Sequence, residues 1–167
     1  MVSTLYLGEH VSLKREKVSF RRILVAVDGS EISQKTAEYA AKMAKWEGAE
    51  LHIVHIIPRP PYSEGENLAQ YYEEGRKSAK IWLKDLEGRV SRFGLTPEVR
   101  IIVDSTSVVD ALLGYIEQYE IDLAVTGTRG LSSSERRRTG SVASGIVEYA
   151  PCSVLVIRPP KGLPLWR

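Results

Sequence analysis

The sequence predicts a three-layer α/β domain in which one five-stranded parallel sheet is covered by helices on both faces. Three observations carry the prediction. Five short apolar runs, each closed by an acid, a glycine or a proline, read as buried strands. Four segments between them repeat apolar residues at spacings of three and four, the period of a helix packed along one face. The two kinds alternate throughout as β-α-β-α-β-α-β-α-β, a succession that requires right-handed crossovers and hence parallel strands. At 167 residues the chain is long enough for one core and too short for two comfortable ones.

The first strand is ILVAVD after Arg21-Arg22, ending near Asp28 at a Gly-Ser turn. From Glu31 to Glu47 the residues Ala37, Ala40, Ala41 and Ala44 fall at i, i+3, i+4 and i+7, and Gly48 stops the helix they define. The second strand runs from Glu50 to Ile57, where Pro58 and the prolines after it cannot continue a central ladder. A loop follows to about Asn67. Leu68, Tyr72, Gly75, Ala79, Trp82, Leu86, Val90 and Phe93 trace the stripe of the longest helix, closed by Gly94. Val99, Ile101 and Val103 mark a third strand, and Ser107 to Asp110 has the form of a capping box opening the next helix. Leu123 to Gly127 is the fourth strand, about Ser141 to Tyr149 a short helix, and Ser153 to Ile157 the fifth strand. Residues 1–20 read as an extension and 21–158 as the domain. The tail 159–167, with three prolines and a glycine in nine residues, leaves the sheet as irregular chain.

Composition removes several classes of function. Lys and Arg number 23 against 21 Asp and Glu, so no global field selects nucleic acid or an anionic membrane, and any anion site must be local. No apolar run approaches the ~20 residues that span a bilayer. The N-terminus lacks the basic region, apolar stretch and cleavage site of a secretion signal. The lone Cys152 can form no intrachain disulfide, and with these features it sets the expectation of a cytoplasmic protein.

The chemistry concentrates after the fourth strand. Gly127, Gly130, Gly140 and Ser141 stand in the pattern G-x2-G-x9-G-S between a buried strand and a helix. Glycines there let a ligand approach the main chain, and Gly140-Ser141 places amides and a hydroxyl at a helix N-terminus, where the dipole favours a phosphate. The loop is not a P-loop, because no lysine follows a glycine in the required place, and it is not the dinucleotide fingerprint, which follows the first strand. In open parallel sheets, ligands bind beyond the carboxyl ends of the strands where strand order reverses, so the ends near Asp28, Ile57 and Gly127 are the ones that matter.

ILVAVDGS at the first strand, HIVHII at the second and TGTRG followed by TGSVASGIVEYAPCSVLVIR at the end closely resemble the universal stress protein family, from about Arg22 to Arg158, some four-fifths of the chain. The resemblance implies a Rossmann-like sheet of order 3-2-1-4-5 and, through the glycine pattern, an ATP-binding member; AMP or a cyclic nucleotide is the alternative ligand. It implies that Asp28 meets the ribose or the adenine edge, that Ala26 and Ile56 flank the base, and that Gly127 contacts the ribose. Gly130, Gly140, Ser141 and Val142 would then offer donors to the phosphates, with Arg129 beside them and Mg²⁺ or Mn²⁺ held through the phosphate oxygens. It further implies a homodimer paired through the edge strand 153–157. Thr126 departs from the methionine more usual in that family and makes the base pocket more polar.

Several residues have plainer readings. Asp28 can cap the following helix. Arg136, Arg137 and Arg138 can be a solvated face. His52 and His55, three apart on a strand, point to opposite faces and cannot share a metal. Cys152 reads as a packed thiol, and Tyr71, Tyr72 and Trp82 as core or interface. No catalytic set is assigned. Slow ATP hydrolysis, with Glu135 as base, is the enzymatic alternative to a nucleotide-dependent stress or signalling module.

Overall fold

A computed structural model describes residues 19–60, 67–128 and 140–158. In them the chain forms β1 (Arg22–Ala26), α1 (Glu31–Glu47), β2 (Glu50–Pro58), α2 (Leu68–Ser91), β3 (Glu98–Ser105), α3 (Val108–Gln118), β4 (Leu123–Gly127), α4 (Ser141–Tyr149) and β5 (Ser153–Ile157). All four pairings are parallel and the sheet order is β3-β2-β1-β4-β5, as expected. Strand order therefore reverses between β1 and β4, which splays the loops after these two strands apart and leaves a crevice beyond their carboxyl ends.

Alternation along the central strands divides two cores. Ile23, Val25, Ile53 and Val125 face α1 and α2, while Leu24, Val54, Ile56 and Ala124 face α3 and α4. The four alanines of α1 are wholly buried, and their small side chains let that helix lie close on β1 and β4. On α2 the stripe holds at Ala79, Leu86 and Val90, and Leu83 joins it. Ile53 is fully buried in the middle of the sheet; truncating such a side chain to alanine costs about 2–5 kcal/mol.

Local signals set the boundaries. Ser30, Asn67 and Ser107 cap α1, α2 and α3 by accepting from the amides of Ser33, Gln70 and Asp110. Gly48 and Gly94 take positive φ, +71° and +80°, where a helix ends. β1 stops at Ala26 rather than near Asp28. The Val27 amide still reaches Val54 O at 2.9 Å, but Gly29 at φ +86° turns the chain out of the sheet. β2 runs one residue past Ile57, to Pro58, where the register with β3 shifts. At the opposite end of the sheet the Asp122 carboxylate accepts from the amides of Arg21 (2.8 Å) and Arg22 (3.1 Å), pinning the entry of β1 to that of β4.

Candidate functional site

Ala26 is the last residue of β1, Gly127 the last of β4, and Gly140 the N-cap of α4, so these predicted residues meet at the reversal point. Ala26 pairs in register with Val54; two residues beyond them stand Asp28, past the end of β1, and Ile56, still within β2. Ile56, at 7% exposure, belongs to the core on the α3 side, against which Ala26 and Val142 also pack. The apolar residues expected around a base thus converge on one wall. Gly140 N donates to Thr128 O at 2.7 Å, and Thr128 N to Ile157 O at 2.9 Å, so the chain on either side of residues 129–139 is anchored to the sheet. Arg129 and Gly130 lie outside the described residues, as do Ser134, Glu135 and the run Arg136 to Arg138.

Helix α4 differs from the other three in its N-cap. Gly140 has no side chain and makes no side-chain capping bond. The first amides of α4 therefore take no capping bond from the N-cap residue itself, and they carry the positive end of the helix dipole. Ser141, exposed, opens that helix. Here a phosphate or carboxylate would find donors already oriented.

Asp28 does not cap α1; that role belongs to Ser30. Instead its Oδ1 accepts from Ser30 Oγ at 2.6 Å and from Ser30 N at 3.0 Å, while its own amide donates to Ser33 Oγ at 3.2 Å. The carboxylate is thus held by the start of α1 at the rim of the crevice, opposite in character to the amide-rich end of α4. A carboxylate repels phosphate and accepts from hydroxyl or amine groups, so the two rims suit the two halves of a polar, anionic ligand. Sequence reasoning left out Ser30 and Ser33. The serine after Asp28-Gly29 is a capping signal, but that it also binds the aspartate becomes visible only in the folded turn.

Thr126, 6% exposed, places its hydroxyl 3.3 Å from Gly127 O. His52 and His55 face opposite sides of the sheet, as expected: Nδ1 of His52 pairs with Tyr115 Oη at 2.9 Å, and Nδ1 of His55 with Val27 O at 2.8 Å. Burial raises the Cys152 thiol above its ordinary pKa, which keeps it protonated and agrees with a packed role. Among the described residues no group of three or more His, Cys, Asp or Glu could hold a metal, and no helix is long and apolar enough to cross a membrane.

The architecture defines a doubly wound α/β protein whose candidate site lies at its switch point. Residues 19–158 match the model of the universal stress protein family, and the chain belongs to that family. A putative universal stress protein of Staphylococcus haemolyticus is 36% identical over 144 residues, covering 84% of this chain and 86% of its own length. Among solved structures, universal stress protein UspA from Lactobacillus plantarum superposes with a TM-score of 0.77 at 27% identity, over 85% of this chain and all of its own. A family member from Arabidopsis thaliana with AMP bound shares the fold, with a TM-score of 0.61 at 18% identity over 84% of this chain and 92% of its own.

Proposed function

We propose that this protein binds an adenine nucleotide, with ATP as the expected ligand, in the crevice between the ends of β1 and β4, and acts as a nucleotide-dependent stress-response or signalling module in the cytoplasm. The observation that carries the reading is the pairing of a serine-held carboxylate at Asp28 with a helix N-terminus whose N-cap is a glycine, at Gly140-Ser141, across one strand reversal. In this reading Asp28 accepts from the ribose or the adenine edge, Ala26 and Ile56 flank the base, and Gly127 lies against the sugar. Gly140, Ser141 and Val142 present donors to the phosphates, joined by Arg129 and Gly130. The Arabidopsis relative's bound AMP supports an adenine ligand. With no cluster suited to a cation among the described residues, Mg²⁺ or Mn²⁺ would be carried by phosphate oxygens, its preferred partners.

Calorimetric titration with ATP and AMP, with and without Mg²⁺, tests the proposal. Gly140→Val and Gly130→Val should weaken ATP more than adenosine, because their side chains crowd the phosphate donors. Asp28→Ala should weaken adenosine, AMP and ATP by similar factors, since its contact is with the part they share. Unchanged affinity in folded glycine variants removes the phosphate assignment. Tighter ATP binding on removing Asp28 reverses the orientation of the ligand.

A further inference from the structure

The turn that carries Asp28 is held from the sheet and from α2 as well as by its own serines. Its peptide unit between Val27 and Asp28 is fastened at both ends: the Val27 carbonyl accepts from His55 Nδ1 at 2.8 Å, and the Asp28 amide donates to Ser33 Oγ at 3.2 Å. A carbonyl can only accept, so this bond fixes Nδ1 as the protonated nitrogen of the neutral ring. The His55 ring stands edge-on to the indole of Trp82 from α2, with centroids 5.0 Å apart and planes at 81°. The same indole lies against Gly29, where a Cβ would come within 3.2 Å of its Cε2 and 3.4 Å of its Nε1. Gly29 O accepts from Gln34 Nε2 at 2.8 Å, and Gln34 is bonded in turn by Arg89 of α2, which also donates to Glu38 at 2.7 Å.

Packing alone does not require this arrangement. On the same face of β2, Ile53 belongs to the core, and Ile57 is buried with its side chain against Gly75 of α2. A histidine between them puts a polar ring in a half-buried place, and burial holds its pKa below the ordinary imidazole value. What the ring supplies that an isoleucine cannot is a donor to the carbonyl next to Asp28. Rotation of that peptide unit would swing the Cα–Cβ direction of Asp28, so the bond governs where the carboxylate aims.

We propose that His55 and Trp82 are a positioning pair for the ligand site, His55 locking the Val27–Asp28 peptide and Trp82 supporting Gly29, so that Asp28 is aimed before the ligand arrives. The inference rests on the adenine-nucleotide reading of the crevice. Pre-orienting a contact raises affinity by removing the ordering that binding would otherwise require.

The full-length chain is titrated with AMP as wild type, His55→Asn, His55→Leu and Ser33→Ala. Asparagine places its amide nitrogen where Nδ1 stood, whereas leucine fills space without donating; both lose the ring contact with Trp82. His55→Asn is expected to stay within about threefold of wild type and His55→Leu to bind about five- to tenfold more weakly, the worth of one hydrogen bond. Ser33→Ala, which releases the other end of the same peptide unit, should lose a similar factor and keeps the test available if the leucine variant does not fold. Affinity should follow the donor and not the melting temperature, which a filler role would make it follow. The indole N–H resonance of Trp82, assigned by its loss in Trp82→Phe, should move when AMP is added. Equal affinity of His55→Leu and wild type, or equal weakness of the Asn and Leu variants, overturns the pair while leaving the site intact; an unmoved indole overturns the part of Trp82. A folded wild type that binds no adenine nucleotide overturns the site reading, and the pair with it.

Discussion

At the scale of single residues, the two histidines of β2 show how one side chain takes two roles according to the face it occupies. His52, 5% exposed, sits among Tyr115 and Tyr119, each ring centroid 5.8 Å from its own. Burial pushes its pKa down, opposed by the Glu50 carboxylate 3.9 Å from Nε2. Burial also raises its partner Tyr115, to about 12, so the hydroxyl stays protonated across the physiological range. Because folding lowers the imidazole pKa, the unfolded chain binds a proton below about pH 6.5 that the native protein refuses. Stability is therefore full above that pH and falls on acidification until the native ring itself titrates. We expect His52→Gln to flatten the loss of urea stability between pH 6.5 and 5 by up to one proton's worth, about 1.4 kcal/mol per pH unit. Identical pH slopes in the two proteins would show that His52 is not the linked group.

At the scale of elements, α4 is placed by a contact that has no slack. A Cβ on Gly145 would stand 2.7 Å from Val109 Cγ2 and 2.9 Å from Cγ1, atoms of a stiff branched side chain on α3. Gly114, on α3, has open space around it. Alanine in a helix is favoured over glycine by about 1 kcal/mol, so Gly114→Ala should raise the melting temperature. At Gly145 the same change meets overpacking of about 1–3 kcal/mol; the clash wins, and Gly145→Ala should lower it. Adding Val109→Ala should recover much of the loss, a coupling that independent sites would not give. Since the first turn of α4 forms one rim of the crevice, Gly145→Ala should also weaken AMP. A Gly145→Ala protein as stable as wild type would refute the close contact.

The elements themselves were largely legible from the sequence, because strands buried on both faces are unbroken apolar runs and each helix carries its own start and stop. The boundaries of α1 and β5, the Ser107 cap and the whole span of α4 follow from local chemistry that tertiary contacts did not override. The candidate site was legible only in part. Gly127 and Gly140 could be placed because a strand end and a glycine before a helix are local signals, whereas Ala26 and Ile56 entered only through the family resemblance. The Ser30 and Ser33 bonds around Asp28, and the His55–Trp82 contact beneath it, depend on how a turn and three elements meet, which no spacing in the sequence encodes. The His52–His55 spacing revealed opposite faces but not the partners waiting on each.

For the whole molecule, β5 lies at one edge of the sheet, paired among the described residues only with β4, and its Val154, Leu155 and Val156 are half-buried. Val147 and Tyr149 of the adjacent α4 are 58% and 62% exposed. An apolar edge with open amides and carbonyls invites pairing with another strand, and a two-fold contact closes after one partner. We therefore predict a homodimer through strand 153–157: light scattering at tens of micromolar (an order-of-magnitude choice for interfaces of ordinary affinity) should give the dimer mass, and Val156→Pro, which deletes a ladder donor, should shift it toward monomer. A wild-type monomer at that concentration would refute the prediction.

The carboxylate of Asp122 that ties β4 to the entry of β1 spans a sequence separation of 101 residues. During synthesis β1 emerges early and finds β2 soon after, but its other side stays bare until Leu123 to Val125 have been translated. At ~5–20 residues per second that interval is roughly 5–20 s. For that time the nascent chain carries an open, apolar strand edge in what will become the centre of its sheet, a surface that chaperones and neighbouring polypeptides can occupy first.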